Sequence, residues 1–245
     1  MKQDFEGFYS IINAQGEKVR REILSDPGRF KSISLCKSIG AYLFEGGIDG
    51  DRSAFINGID TSRMNDFVLL NTLDATFINA SSSHPCESFG TALVALAHQE
   101  VIDRTRGGRW DDGCYFTAMR SVAEGFEGSQ EMDSSMGIDA IYNSQNAVKL
   151  EQLLHEYFRI CSRDVFDNRL VCYRIDNIDM LGSKGYYMLE AMRRYLSSPF
   201  VAVIATGDLD SYRQMVSAQT QWPYNVCENY LGKVFPLQCR VSLGE

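Results

Sequence analysis

Three carboxylates and one amide stand where short apolar runs give out. Asp176, Asn177 and Asp179 follow residues 170–175, and Asp208 follows 200–205. Carboxylates collected at the C-terminal edge of a parallel sheet suit ligand binding at that edge, where they hold cations or polarise water. Upstream, Gly46-Gly47-Ile48-Asp49-Gly50-Asp51-Arg52-Ser53 has the length and order of G-x-x-x-x-G-K-[ST]. Gly46 takes the first glycine's place and Ser53 that of the hydroxyl. Asp51 stands where the second glycine belongs and Arg52 where the lysine belongs. The chemistry of that pattern is phosphate binding. Successive backbone N–H groups and a helix N-terminus surround the anion, and glycines such as Gly47 and Gly50 let the backbone come close. Two plainer readings stand beside it: the glycines make an ordinary loop, and Asp176 and Asp208 cap turns at strand ends.

The elements that must position these residues follow from hydrophobic patterning. Residues 39–45, 67–74, 170–175 and 200–205 are short, β-branched or aromatic, and apolar enough for buried strands of a parallel sheet. Between the last two, residues 188, 189, 192, 195 and 196 fall on one helical face, and Glu190 stands four residues before Arg194, a spacing that favours an ion pair. The unit 170–208 is therefore strand, acidic turn, helix, strand. Residues 5–24 form a weakly periodic helix that Gly16 interrupts, inside an N-terminal helical segment covering 1–35. Residues 75–168 are a mainly helical insertion between the second and third strands, with helices at 87–103, 116–126 and 147–160 and a polar stretch at 128–137. A last strand is expected within 230–243.

The wording of these segments, IDNIDM, then GYYMLEAMRRYLSSP, then ATGDLDSYRQMV and YLGKVFP, resembles the AAA+ and KAP-like P-loop ATPases of bacterial multidomain defence proteins. The resemblance covers about residues 39–243 and implies an α/β, P-loop NTPase-like three-layer sandwich. It implies about five parallel strands in the order 5-1-4-3-2, with 39–45 beside 200–205 and 170–175 next beyond. It further implies ATP and Mg2+ as ligands. Gly46, Gly47, Gly50, Asp51, Arg52 and Ser53 would take the phosphates, Ser53 and Asp176 the metal, and Asp176, Asn177 and Asp208 the catalytic positions. The match ends with the fifth strand, so the whole chain, 1–245, reads as a single core without a lid domain.

Each departure from the family pattern falls on an atom that does chemistry. Asp51 brings a side chain and a negative charge into an anion site, where two unit charges about 4 Å apart repel by roughly 1–4 kcal/mol. Arg52 pairs with phosphate through a longer planar fork than lysine's point charge. Asn177 replaces the acid that polarises water, and an amide accepts no proton. The expectation is a degenerate nucleotide-binding or assembly module of a bacterial antiviral defence or signalling complex. The alternative is an active ATPase with an unorthodox loop, using Arg52 on phosphate and Asp179 or Asp208 as the acid. An unrelated α/β protein doing metal or sugar chemistry at its strand ends is a third reading.

Composition bounds these readings. With 245 residues, 44% hydrophobic and 23% charged, the chain suits one α/β domain. A net charge of −8 argues against a surface built to neutralise nucleic-acid phosphates. Seven scattered cysteines, without a C-x-x-C pair and not bracketed by His84, His98 or His155, read as reduced thiols in a cytoplasmic protein. No signal peptide or apolar run of membrane-spanning length is present. Self-association or a partner chain is expected, with Arg193, Arg194 and Arg213 as residues that would reach a neighbour's phosphate, and with apolar surface near Phe235 and Val241.

Overall fold

The computed structural model describes residues 2–26, 41–45, 49–78, 84–106, 113–130 and 138–242. Its centre is one five-stranded sheet: β1 (Ala41–Glu45), β2 (Phe67–Asp74), β3 (Leu170–Asp176), β4 (Val201–Thr206) and β5 (Arg240–Ser242). The order is β2-β3-β4-β1-β5, or 5-1-4-3-2 read from the β5 edge, and every pairing is parallel. Each strand in the middle of the sheet is covered on both faces. Tyr42, Leu43 and Phe44 of β1, Leu170 to Tyr173 of β3 and all of β4 are buried, which is why these runs carry almost no alternation.

The covering helices are α1 (Lys2–Ser25), α2 (Asp49–Asn57), α3 (Pro85–Thr105), α4 (Gly113–Gln130), α5 (Ile138–Ile160), α6 (Gly185–Tyr195), α7 (Leu209–Thr220) and α8 (Tyr224–Val234). The insertion between β2 and β3 is helical, as its patterning requires. Helix α6 buries Met188, Leu189, Met192 and Tyr195, each side chain worth about 1.5–3 kcal/mol when fully removed from water.

Several details differ from the sequence expectations. Helix α1 runs unbroken through Gly16. A Cβ there would lie 2.5 Å from the Phe67 ring, so the glycine makes room for the first residue of β2 rather than ending the helix. The last strand is only Arg240–Ser242, because Tyr230, Leu231, Val234 and Phe235 lie one helical turn apart and the first three are buried from α8. Phe235 is not surface either; it stacks on Tyr212 at 5.6 Å and is fully buried, and Val241 packs against the core. Glu190 pairs with Arg193 at 2.8 Å, three residues on, whereas Arg194 turns toward Glu151 at 3.8 Å. Residues 39 and 40 of the first expected strand and 131–137 of the polar stretch lie outside the described residues.

No described helix is long and apolar enough to cross a membrane.

Candidate functional site

The sheet order brings the C-terminal ends of β1, β3 and β4 side by side, and the site forms there around Asp176. This carboxylate is 5% exposed and accepts three hydrogen bonds. Ser53, one turn into α2, donates its hydroxyl to Oδ2 at 2.5 Å. Thr206, the last residue of β4, donates its hydroxyl to Oδ1, and the Asn177 N–H reaches the same oxygen at 3.0 Å. Thr206 is itself fixed by Tyr212 of α7, whose buried hydroxyl donates to the Thr206 carbonyl at 2.5 Å. One carboxylate thus ties the helix after β1 to the ends of β3 and β4.

Asn177 sits at φ 61°, the left-handed region that asparagine tolerates better than most residues. That turn swings its amide away from β4 and toward β2, where Nδ2 donates to Asp74 Oδ2 at 3.0 Å. Asp74 is the register partner of Asp176. Both face α2: Thr72, two residues earlier on β2, reaches Asn57 at 2.7 Å, and Arg174 on β3 donates to the Ile56 carbonyl at 3.4 Å. Burial works to raise the Asp74 carboxyl, but hydrogen bonds from Thr76 and Asn177 outweigh it and hold the group below the usual carboxylate range.

Arg52 and Asp179 form an ion pair, Nη1 to Oδ2 at 2.9 Å, with side chains 10% and 8% exposed. Asp179 also accepts the backbone N–H of Asp208 at 3.3 Å. The Asp208 carboxylate caps α7 instead of facing Asp176, accepting the Ser211 N–H at 2.7 Å and its hydroxyl at 2.8 Å. Burial pushes its pKa up, yet the Ser211 bonds and the Arg52 charge keep it lowered.

The expected site residues therefore divide. Ser53, Asp176 and Asn177 meet; Arg52 joins them through Asp179; Asp208 contributes its backbone. Gly46 and Gly47 lie outside the described residues, and Gly50 and Asp51 lie in the first turn of α2 with side chains outside them. Thr206, Asp74 and Tyr212 were not assigned roles from sequence. Thr206 had a signal, as the polar residue that ends an apolar strand beside the one ending in Asp176. Asp74 had one too, as a strand-end acid. Tyr212 had none, because a helical tyrosine reads as core.

Magnesium takes oxygen ligands and keeps several of its waters. Ser53 and Asp176 bring a hydroxyl and a carboxylate within one hydrogen bond of each other, the oxygen donor types taken by an ion that arrives with phosphate oxygens and water. Among the described residues no group of three or more His, Cys, Asp or Glu is arranged to hold a metal alone. Around Asp176 the described charged residues include four carboxylates (Asp74, Asp176, Asp179, Asp208) and the Arg52 guanidinium, so an incoming polyphosphate needs a cation with it. A 460 Å3 cavity between α4 and α5, lined by Cys114, Ser121, Leu153 and Glu156, lies on other elements. The three arginines expected to reach a neighbour are engaged within the chain: Arg193 with Glu190, Arg194 over Tyr195, and Arg213 with Asp210 and Glu228.

No protein-family model matches this chain, and no curated protein matches it in sequence.

Proposed function

We propose that this chain is a P-loop ATPase-family core of the AAA+/KAP-like type, a degenerate module that binds Mg-nucleotide weakly and serves assembly in a bacterial defence or signalling complex. The observation that carries the reading is the convergence of Ser53, in the helix after β1, with Asp176 and Thr206, which end the adjacent parallel strands β3 and β4. In this reading Ser53 and Asp176 hold the metal, which when bound neutralises phosphate charge. Thr206 orients the Asp176 carboxylate, and Tyr212 orients Thr206. The weakness of binding is supported by Arg52, whose guanidinium is committed to Asp179, and the loss of hydrolysis by Asn177, whose amide accepts no proton.

Calorimetric titration with Mg-ATP tests it. Binding at high micromolar to millimolar concentration that Ser53→Ala abolishes is the expected result. No binding to the natural chain, together with none to the double variant Asp51→Gly, Arg52→Lys, removes the reading.

A second reading, an active ATP hydrolase, is favoured by one specific contact. Asp74 is a lowered-pKa carboxylate beside Asp176, held by Asn177 at 3.0 Å. Its Oδ1 caps the turn after β2 through Thr76, as Asp208 caps α7 through Ser211, while its Oδ2 meets the Asn177 amide. Phosphate release that Asp74→Asn abolishes while Mg-ATP binding persists selects this reading.

A further inference from the structure

The anion-binding groups around Arg52 already enclose an anion. The Asp179 carboxylate takes a charge-assisted hydrogen bond from the Arg52 guanidinium at 2.9 Å and a backbone N–H from Asp208 at 3.3 Å. These donors come from two elements, α2 and the turn after β4. A guanidinium and a backbone N–H converging on one oxygen are the donors that recognise phosphoryl groups.

The carrier of that carboxylate is slight. Asp179 opens a 3-10 turn, Asp179–Lys184, none of whose residues is fully buried. Its first bonds, Met180 N–H to the Asn177 carbonyl and Leu181 N–H to the Ile178 carbonyl, are both 3.2 Å, and such turns have poorer hydrogen-bond geometry than an α-helix. Gly182 follows at φ 57°, ψ −138°, with open space where a Cβ would stand, and Met180 is 62% exposed. Residues 178–181 lie between two positive-φ residues, Asn177 before the turn and Gly182 within it. Ile178, next to Asn177, is fully buried and Leu181 packs against the core, so the part of the turn free of core packing is Asp179 and Met180.

We infer that Asp179 is a built-in phosphate surrogate, a displaceable plug that the polyphosphate chain of a Mg-bound nucleoside triphosphate must drive off Arg52 before it binds. This rests on the reading of Ser53 and Asp176 as the metal-holding pair. Arg52 exchanges one anion for another, so its charge is not left unpaired in either state. The apparent affinity is the intrinsic one reduced by the fraction of molecules whose plug is open. Occupancy then releases the turn that carries Met180, which links the site to the surface.

The test is calorimetric titration of the full chain with Mg-ATP and, separately, Mg-tripolyphosphate. Asp179→Asn keeps the shape and removes the charge. It should bind both ligands at least about tenfold more tightly, the factor that masks a site open one-tenth of the time. The gain should vanish when Arg52→Gln is added. Unchanged affinity in Asp179→Asn overturns the plug but leaves the P-loop reading standing, provided that Mg-ATP binding remains sensitive to Ser53→Ala. Tighter ATP binding without tighter tripolyphosphate binding also overturns it, because the gain then belongs to another part of the nucleotide. No Mg-ATP binding by any of these proteins at millimolar concentration removes both. A measurement on the natural chain covers an Asp179→Asn that fails to fold. At saturating Mg-ATP the Met180 and Leu181 amides should exchange hydrogen faster; slower or unchanged exchange with ligand bound overturns the plug.

Discussion

Replacing Arg52 with methionine keeps most of the side-chain stem and removes the charge that faces Asp179. At 2.9 Å and an effective dielectric of 20 the gross attraction is about 6 kcal/mol. Most of that is offset by the cost of taking both ions out of water. Truncation, however, leaves Asp179 still 8% exposed with the Asp208 N–H at 3.3 Å as its remaining described hydrogen-bond donor. Stranding one member of a buried pair costs about 3–5 kcal/mol. In a chain of 245 residues, about 2–4 °C in Tm is lost per kcal/mol, so Arg52→Met should melt on the order of 10 °C lower. The assay is urea unfolding of Arg52→Met, Asp179→Leu and the double variant, read by tryptophan fluorescence and circular dichroism. Removing both charges should recover most of the loss, with a coupling energy above about 2 kcal/mol. A single-variant loss under about 0.5 kcal/mol, with the two changes additive, would refute the ion pair and the plug with it.

Four further outcomes are expected. Thr206→Val and Ser53→Ala should each cost about 1.5–3 kcal/mol in urea unfolding, the worth of a hydrogen bond to a charged group, and each should cost less in an Asp176→Asn background. The lowered carboxyls of Asp74 and Asp208 contribute stability that is present above their unfolded pKa, about 3.9, and is lost as pH falls through the lower folded values. Asp74→Asn should therefore flatten the stability profile below about pH 4, and a profile unchanged from that of the natural chain would contradict the Thr76 and Asn177 bonds. Gly185→Ala should lose about 1–3 kcal/mol, because its Cβ would stand 2.3 Å from the Met215 sulfur and 2.7 Å from the Ile178 carbonyl oxygen; an unchanged Tm would place α6 differently. Asp51→Gly with Arg52→Lys should tighten Mg-ATP binding by about one to three decades, from the repulsion removed, and calorimetry showing no change would refute the charge-blocked loop.

The central strands were legible because they are continuous apolar runs, and because an acid or a polar residue ends each of β2, β3 and β4; their order was read from the family resemblance and not from the runs themselves. The last strand was misread for a physical reason. Residues 230, 231, 234 and 235 are spaced for a helix face, but as a short apolar phrase ending in proline they look equally like a strand. Local spacing also suggested Glu190 with Arg194, whereas the packing of α6 on α5 draws Arg194 toward Glu151. The site was legible residue by residue but not pair by pair. Asn177 and Asp74 are 103 residues apart, Arg52 and Asp179 are 127 apart, and no local pattern selects those partners from the acids present. Gly16 looked like a break, because the ring it accommodates, Phe67, belongs to a strand that pattern reading does not bring near α1.

The claim that Ser53 and Asp176 hold a nucleotide-borne metal is tested most directly with manganese in place of magnesium, read by electron paramagnetic resonance. The account predicts a protein-bound Mn2+ signal that requires ATP and disappears in Asp176→Asn. Manganese bound equally with and without ATP, or bound unchanged by Asp176→Asn, would contradict it.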